Sequence, residues 1–325
     1  MDSLLSIKNL KTYFYLRRGA VRAVDDVSIE VARGEAIGIV GESGSGKSVT
    51  AQSILRIIFP PGKILGGEIW FDGQNLLTAS EEEIQKVRGK KITMVFQSPR
   101  TCLNPVMAVG EQITKVCLLH QCQEKREAEA RALEMLRLVQ IADPKRVFSA
   151  YPHQLSGGMC QRVMIVMALI CEPLLIIADE PTTGLDVTVQ RQILALMNEL
   201  WERTGVSRIM ISHDMGIIAN TCHRVAVMYA GKIMETGAIK ELFKNPLHPY
   251  THGLIHSTPR IDQDEKPLAI GGELPNAMVP PSGCRFHPRC SRVMEICRSE
   301  EPIFHPVGED RQVACHLFNG EKGSS

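Results

Sequence analysis

The sequence lacks any apolar run long enough to cross a membrane. Its longest apolar run, residues 163–171, lies between Arg162 and Glu172, whereas a spanning helix needs about 18 apolar residues. The start of the chain also lacks the charged segment and the long apolar stretch of a secretory signal. We therefore expect a protein without its own membrane span, in a reducing cytosol where its 10 cysteines do not form disulfides.

The chain also lacks an excess of either charge. It has 37 Lys and Arg residues against 36 Asp and Glu residues, and its formal net charge is +1. Domains that bind nucleic acid usually carry a basic surplus, so no nucleic-acid partner is expected. A length of 325 residues suits about two domains, and a hydrophobic fraction of 44% is enough to build a core.

A glycine-rich phosphate-binding loop occupies residues 41–48, which read GESGSGKS and match the pattern G-x-x-x-x-G-K-[ST]. A strand-like run precedes the loop and an apolar-periodic stretch follows it. The backbone N–H groups of such a loop face a polyphosphate, its lysine reaches the terminal phosphates, and its last hydroxyl can ligate Mg²⁺. The predicted ATP or GTP site consists of Gly41, Glu42, Ser43, Gly44, Ser45, Gly46, Lys47, Ser48 and Val49.

The hydrophobic patterns divide the chain into three stretches. Residues 1–97 contain short β-rich runs separated by turns, and residues 98–150 are charged with helical periodicity. From about residue 155 to residue 237, helices and strands alternate again. This order predicts an α/β fold with a parallel sheet, a nucleotide at one end of its strands, and a small helical subdomain inserted between the strands.

Polar side chains follow three of the predicted strands, namely Asp179 with Glu180, His213, and Gln97. Ligands of parallel sheets bind at the carboxyl ends of the strands. There, Asp179 can hold Mg²⁺ and Glu180 can orient the water that attacks the γ-phosphate. His213 can hydrogen-bond a γ-phosphate oxygen, and Gln97 can offer its amide to Mg²⁺. The alternatives are a solvated helix cap for the acidic pair and structural roles for the histidine and the glutamine.

A second glycine turn, LSGGM at residues 155–159, opens a long predicted helix. Ser156 suits the N-cap, while Gly157 and Gly158 expose backbone N–H groups at the positive end of the helix dipole. Because the phosphate loop already supplies a helix N-terminus to the nucleotide, the simplest interpretation is that this turn contacts a nucleotide held by another subunit. The alternative is a helix that is merely capped by serine.

Six features of the chain, in their order and at their separations, resemble the nucleotide-binding subunit of ABC transporters. They are the phosphate loop, Gln97, LSGGM, the strand ending in Glu180, TGLD at residues 183–186, and His213. The resemblance covers residues 1–240. It implies a P-loop NTPase (RecA-like) core with an antiparallel β subdomain and a helical subdomain at about residues 98–155. It also implies a head-to-tail dimer that closes on two ATP molecules and reopens after hydrolysis.

The resemblance further implies roles for individual residues of the ATP site. The catalytic base would be Glu180, the switch histidine His213, and the Mg²⁺ ligands Ser48 and Gln97, supported by Asp179. Two departures from the family pattern, Met159 and Gly184, remove no phosphate-contacting group, so hydrolysis is expected to survive.

The resemblance also assigns residues to the partner's nucleotide and to adenine. Ser156, Gly157, Gly158 and Asp186 would act across the dimer. The aromatic residue that stacks on adenine would lie within YFY at residues 13–15, and spacing within the sequence favours Phe14.

Residues 97–105, 151–155 and 245–251 (QSPRTCLNP, YPHQL and NPLHPYT) resemble the dipeptide and oligopeptide importer ATPases, a branch that includes nickel importers. The resemblance implies an ATPase at the cytoplasmic face of the inner membrane that couples ATP hydrolysis to peptide uptake. Its partners would be two permease subunits, a homologous ATPase subunit (or a second copy when isolated), and, indirectly, an extracytoplasmic binding protein that selects the cargo.

Residues 241–325 would form the C-terminal extension of this branch. Other functions stay open at this point. They are nickel or small-solute import, a soluble ABC ATPase, which usually has two cassettes or a coiled-coil insertion, and a regulatory module, which would be expected to lose Glu180 or Lys47.

Four cysteines of the C-terminal region, Cys284, Cys290, Cys297 and Cys315, are separated by five, six and seventeen residues. Four thiolates match the ligand number of a Cys₄ zinc site or a [4Fe-4S] cluster. The tight cysteine pairs typical of zinc sites are missing, which favours the cluster, as does the resemblance. Zinc is the second interpretation and free thiols are the third.

Overall fold

The computed structural model describes residues 3–122, 124–257, 270–308 and 310–319. The chain forms two compact units. The first unit consists of Met1–Thr78 with Met210–Ser325, and the second consists of Ala79–Ile209. Among the described residues, no helix is both long and apolar enough to cross a membrane.

The elements follow one another in chain order. The first unit begins with β1 (Ser3–Leu16), β2 (Gly19–Ala32), β3 (Ala36–Val40), α1 (Lys47–Ile54), β4 (Gly62–Phe71) and β5 (Gln74–Asn75). The second unit contains α2 (Glu81–Val87), β6 (Ile92–Val95), α3 (Pro99–Cys102), α4 (Val109–His120), α5 (Lys125–Leu138), α6 (Pro144–Ser149), α7 (Gly157–Leu169), β7 (Leu175–Asp179) and α8 (Val187–Thr204).

Strand β8 (Ser207–Ser212) carries the chain back into the first unit. There follow α9 (Met215–Thr221), β9 (Arg224–Tyr229), β10 (Lys232–Ala238), α10 (Ile239–Lys244), α11 (Pro249–His256), α12 (Ile296–Ser299), β11 (Phe304–Pro306) and β12 (Gln312–Ala314).

The antiparallel sheet of the first unit has the strand order β2-β1-β4-β5. Along β2, Val27, Ile29 and Val31 are buried while Ser28 and Glu30 are exposed. This alternation is typical of a sheet that packs one face on the core and leaves the other in water. The strand extends back to Gly19, because its pairing with β1 continues through residues whose burial does not alternate.

The first unit also contains the parallel pair β3 and β9, which runs in register from Ile37 opposite Arg224 to Val40 opposite Val227. All the residues of β3 are buried, as expected of a strand covered on both faces. Antiparallel strands then continue the sheet from β9 through β10 and β12 to β11. The phosphate loop begins at the carboxyl end of β3.

The second unit pairs β6 with β7 in parallel and packs helices around one another. Helix α4 buries residues four apart, Val109, Ile113 and Cys117, and α5 buries Ala128, Ala132 and Leu136 with the same spacing. A spacing of four residues places side chains on one face of a helix, so α4 and α5 pack through matching apolar stripes. All five residues of β7 are buried, and the strand ends in Asp179.

Candidate functional site

The phosphate loop connects β3 to α1 and needs glycine at two positions. Gly46 has a φ of 107°, and a Cβ atom there would lie 2.1 Å from the Ala23 carbonyl oxygen. At Gly41 the added Cβ would lie 2.0 Å from the Met228 carbonyl oxygen. These distances are far below a van der Waals contact, so only glycine lets the loop pass this close to the neighbouring backbone segments. Ser43 and Gly44 lie exposed at its tip.

Lys47 and Ser45 carry the polar atoms of the loop that suit a phosphate. The buried Lys47 ammonium donates hydrogen bonds to the carbonyl oxygens of Gly41, at 2.7 Å, and Glu42, at 3.0 Å. Ser45 Oγ is buried and has no hydrogen-bond partner among the described residues. A buried hydroxyl without a partner is costly, and a phosphate oxygen would supply the missing partner. Ser48 and Val49 lie beside Lys47 in the first turn of α1.

Two residues that sequence reasoning missed hold the loop at Glu42. The Tyr250 hydroxyl accepts a hydrogen bond of 2.9 Å from the Glu42 backbone N–H. The Arg289 guanidinium donates to both carboxylate oxygens of Glu42, at 2.6 and 3.0 Å. Tyr250 belongs to the motif at residues 245–251, but neither its spacing nor that of Arg289 indicates a contact with the phosphate loop.

The aromatic residues at the end of β1 differ in their surroundings. The Tyr13 hydroxyl donates a 2.6 Å hydrogen bond to Asp25, and burial together with this carboxylate raises the pKa of Tyr13 to about 12. Phe14 is half-buried and packs against Gly62, whereas Tyr15 is 48% exposed. Of the three, Tyr13 is therefore held by a polar contact, and the stacking role proposed for Phe14 stays a prediction.

The second unit brings together Gln97 and Glu180. The Gln97 amide donates a hydrogen bond of 3.1 Å to Glu180 Oε2, and the Thr183 hydroxyl donates one of 3.0 Å to the same oxygen. Glu180 has a φ of 46°, in the left-handed region that side chains rarely adopt. Such strain persists where the surrounding structure imposes it and is common at functional sites. Asp179 is buried at the end of β7.

His213 lies in the first unit, where it directly follows β8 and is exposed. The next residue, Asp214, caps α9 by accepting hydrogen bonds from the backbone N–H groups of Gly216 and Ile217, at 2.7 and 3.4 Å. This cap fixes the turn that presents the imidazole.

The glycine turn at the start of α7 has the geometry expected from the sequence. Ser156 is the N-cap and accepts a 3.3 Å hydrogen bond from the Met159 N–H. A Cβ added at Gly158 would lie 2.8 Å from Val189 Cγ1, so the start of α7 lies close against α8. Asp186 in turn caps α8 and accepts a 3.0 Å hydrogen bond from the Val189 N–H. Ser156 and Asp186 therefore already have structural roles as helix caps.

The four cysteines predicted to bind a metal are close neighbours, but they do not form a ligand set. Cys284 donates its N–H to the Cys297 carbonyl oxygen at 2.9 Å. Burial raises the pKa of the Cys284 thiol to about 11 and also raises the pKa values of Cys290 and Cys315. In the described parts of the chain, no group of three or more His, Cys, Asp or Glu residues is placed to hold a metal ion. The structure therefore does not support the predicted iron–sulfur or zinc site, because these cysteines are not arranged as a set of metal ligands.

Comparison with protein families gives two matches. The family described as "ABC transporter" matches residues 24–183. The family described as "Oligopeptide/dipeptide transporter, C-terminal region" matches residues 234–297.

Curated relatives are similar over almost the whole chain. An oligopeptide transport ATP-binding protein, AppD of Bacillus subtilis (strain 168), is 44% identical over 323 residues, which cover 99% of this chain and 98% of the relative. The dipeptide transport ATP-binding protein DppD of Escherichia coli (strain K12) is 43% identical and covers 97% of this chain and 96% of the relative. OppD of the same strain, an oligopeptide transport ATP-binding protein, is 47% identical, with coverages of 93% and 90%.

Solved structures agree at the level of the cassette. A dimeric ATP-binding cassette in a post-hydrolysis state with ADP and Pi superposes with a TM-score of 0.65 and 28% identity. The match covers 72% of this chain and 98% of that cassette. A CbiO1 protein from Clostridium perfringens, part of an ABC transporter complex, gives a TM-score of 0.64 with the same identity and covers 75% of this chain and 92% of its own.

Proposed function

Since the chain belongs to the ABC transporter ATPases that carry the oligopeptide/dipeptide transporter C-terminal region, we propose that it hydrolyses ATP to drive the uptake of di- or oligopeptides. The observation that carries the proposal is the pre-formed phosphate loop, whose buried Lys47 and unpartnered Ser45 hydroxyl suit a nucleotide polyphosphate. The ATPase domain is proposed to span residues 1–240, and the extension residues 241–325.

Four residues are proposed to perform the chemistry. Lys47 and the loop N–H groups bind and orient the phosphates, and Glu180 orients the attacking water and accepts its proton. His213 donates a hydrogen bond to the γ-phosphate, and Gln97 helps to hold Glu180 in place through their hydrogen bond. Mg²⁺, held by Ser48 and Gln97 with Asp179 in support, would offset the phosphate charge when bound.

The signature residues are proposed to act on the nucleotide of a second ATPase subunit. The N-terminus of α7, with Ser156, Gly157 and Gly158, offers N–H groups and a positive dipole end to a phosphate. Asp186 is proposed to act across the same interface. The partner is a homologous ATPase in the complex or a second copy in isolation, and the pair would sit peripherally on two permease subunits at the cytoplasmic face of the membrane.

The cargo is tested with the assembled transporter. The chain, its partner ATPase and the permeases are reconstituted in liposomes with the binding protein, and ATP turnover is measured with dipeptides, longer peptides or Ni²⁺. We expect peptides to stimulate turnover several-fold. Stimulation by Ni²⁺ alone would reassign the cargo, and absence of any ATP turnover would overturn the ATPase itself.

We further propose that Cys284, Cys290, Cys297 and Cys315 bind a [4Fe-4S] cluster, with zinc as the alternative. The support is their number, their spacing and their proximity, since Cys290, Cys297 and Cys315 all act electrostatically on the Cys284 thiol. Binding would require the thiols to move into a common ligand geometry. Anaerobic purification followed by metal analysis is expected to find about four irons and four sulfides per chain. Protein free of both iron and zinc would overturn the proposal.

A further inference from the structure

The strongest polar contact between the C-terminal segment and the phosphate loop joins Arg289 to Glu42. The two parallel hydrogen bonds match the planar fork of a guanidinium to both oxygens of a carboxylate, which is the most directional ion pair available to a protein. The Arg289 side chain is 4% exposed and the Glu42 side chain 26%. The pair is therefore shielded from water on the arginine side, and its hydrogen bonds also raise the pKa of Arg289.

Arg289 is itself held in place by neighbours on every side. It donates to the carbonyl oxygens of Gly271, at 2.9 Å, and Ile270, at 3.2 Å, and to the Tyr229 hydroxyl at 3.2 Å. The guanidinium also lies over the Tyr229 ring, 5.7 Å from its centroid. An arginine with its donors engaged in this way has one orientation. Its hydrogen bonds therefore hold the Glu42 carboxylate in one position.

Tyr250 provides a second, independent contact with the same loop residue. Its hydroxyl accepts the Glu42 N–H, and its fully buried ring packs against Tyr229 at 4.6 Å and Phe286 at 5.3 Å between centroids. Both the side chain and the backbone of Glu42 are thus bound from the C-terminal part of the chain. Glu42 also contacts Lys47, because its carbonyl oxygen accepts one hydrogen bond of that ammonium.

The same C-terminal segment also reaches β2. Arg285 forms an ion pair with Asp25, which in turn accepts the hydrogen bond of Tyr13. Arg285 and Arg289 lie in the short stretch between Cys284 and Cys290. One segment therefore contacts the phosphate loop directly and is linked through Asp25 to the strand proposed to face adenine.

We propose that Arg289 and Tyr250 are positioning residues of the nucleotide site, and that the C-terminal extension thereby pre-organises the phosphate loop for ATP. The inference rests on the proposed function, because it requires this loop to bind ATP. Its physical basis is that a loop fixed before binding loses less conformational freedom when the nucleotide arrives. The extension then contributes to ATP affinity without touching the reacting atoms.

A double-mutant cycle on the full chain tests the proposal. Arg289→Ala and Glu42→Ala are each expected to weaken binding of the fluorescent analogue TNP-ATP and to raise the KM for ATP about tenfold, the size of one charge-assisted hydrogen bond. The value of kcat should change less than about twofold, because the interaction is the same in the ground and transition states. The double variant should be no worse than either single variant, since both remove one shared contact.

Further variants separate positioning from folding. Arg289→Lys keeps the charge but loses the fork and should retain most of the KM defect, and Tyr250→Phe should raise KM without changing kcat. Arg298→Ala is the matched control, because Arg298 is an exposed arginine of the extension paired loosely with Glu295 at 3.8 Å. Additive effects in the cycle, or an unchanged KM in variants that unfold at the wild-type temperature, would overturn the inference. A wild-type chain that does not bind TNP-ATP would instead overturn the proposed function.

Discussion

Gln97 donates a hydrogen bond of 3.1 Å to Glu180, and Thr183 donates one of 3.0 Å to the same carboxylate oxygen. Two donors on one oxygen restrain the position of the carboxylate. The left-handed backbone at Glu180 fixes where the side chain starts. The group proposed to orient the attacking water is thus held by an amide that is itself proposed to ligate Mg²⁺, so the two roles are coupled in one contact.

Glu180→Gln is expected to lower ATP hydrolysis at least about 100-fold, because a positioned general base contributes about 10²–10⁴ in rate. Binding of ATP should persist, since the phosphate loop is unchanged. Phosphate release and TNP-ATP titration measure the two effects. Thr183→Val, which removes one supporting hydrogen bond, should cost about tenfold or less. Normal turnover in the Glu180 variant would refute the assigned role.

Ser156 has a capping role that can be separated from its proposed role at the partner's nucleotide. Ser156→Ala should lower the free energy of unfolding by about 1 kcal/mol, whereas Ser156→Asp keeps an acceptor for the Met159 N–H and should preserve stability. The added carboxylate would repel a phosphate, so ATP turnover of the Asp variant should fall about 100-fold. Urea unfolding measures the stability of each variant, and phosphate release measures its ATP turnover. Wild-type turnover in Ser156→Asp would leave the residue as a cap only.

Gly46→Ala is expected to destabilise the phosphate loop more than Gly44→Ala. The Cβ at residue 46 would lie 2.1 Å from a backbone carbonyl oxygen, while nothing lies within 4 Å of a Cβ at residue 44. Both glycines have positive φ values, which cost an alanine about 1 kcal/mol, but only the first adds a steric cost of about 1–3 kcal/mol. Chemical denaturation measures the difference. Equal losses would show that the loop relaxes around the added methyl group.

His248 makes stability depend on pH in the acidic range. Burial lowers its pKa to about 3, and its ring accepts a 2.9 Å hydrogen bond from the Tyr250 N–H. Because the unfolded chain has the higher His248 pKa, near 6.5, the contribution of His248 to the free energy of unfolding is complete above about pH 6.5. Below that pH, the free energy of unfolding falls by up to about 1.4 kcal/mol for each pH unit.

His248→Asn keeps a capping acceptor but cannot titrate. Its unfolding free energy should therefore depend less steeply on pH below about pH 6.5 than that of the wild type. Urea titrations of both proteins across this range provide the measurement. Identical slopes would show that His248 is not the group responsible.

The spacing of the four C-terminal cysteines did not predict how their thiols are arranged in the structure. The separations of the four C-terminal cysteines are a pattern along the chain, and the number of thiols matches a metal site. Packing decides whether the sulfur atoms converge, and in the described residues the thiols of Cys284 and Cys315 are buried without a metal-holding arrangement. Convergence within about an ångström depends on side-chain directions that no spacing rule contains.

The sequence by itself determined the α/β class, the phosphate loop and the residues that end the strands. These features are written in consecutive residues, because a buried strand, a glycine turn or a helix cap depends on local periodicity and backbone freedom. The tertiary structure alone decided that Gln97 meets Glu180 across 83 positions and that Arg289 meets Glu42 across 247 positions. Such contacts follow from the path of the whole chain, and a single sequence carries no local signal for them.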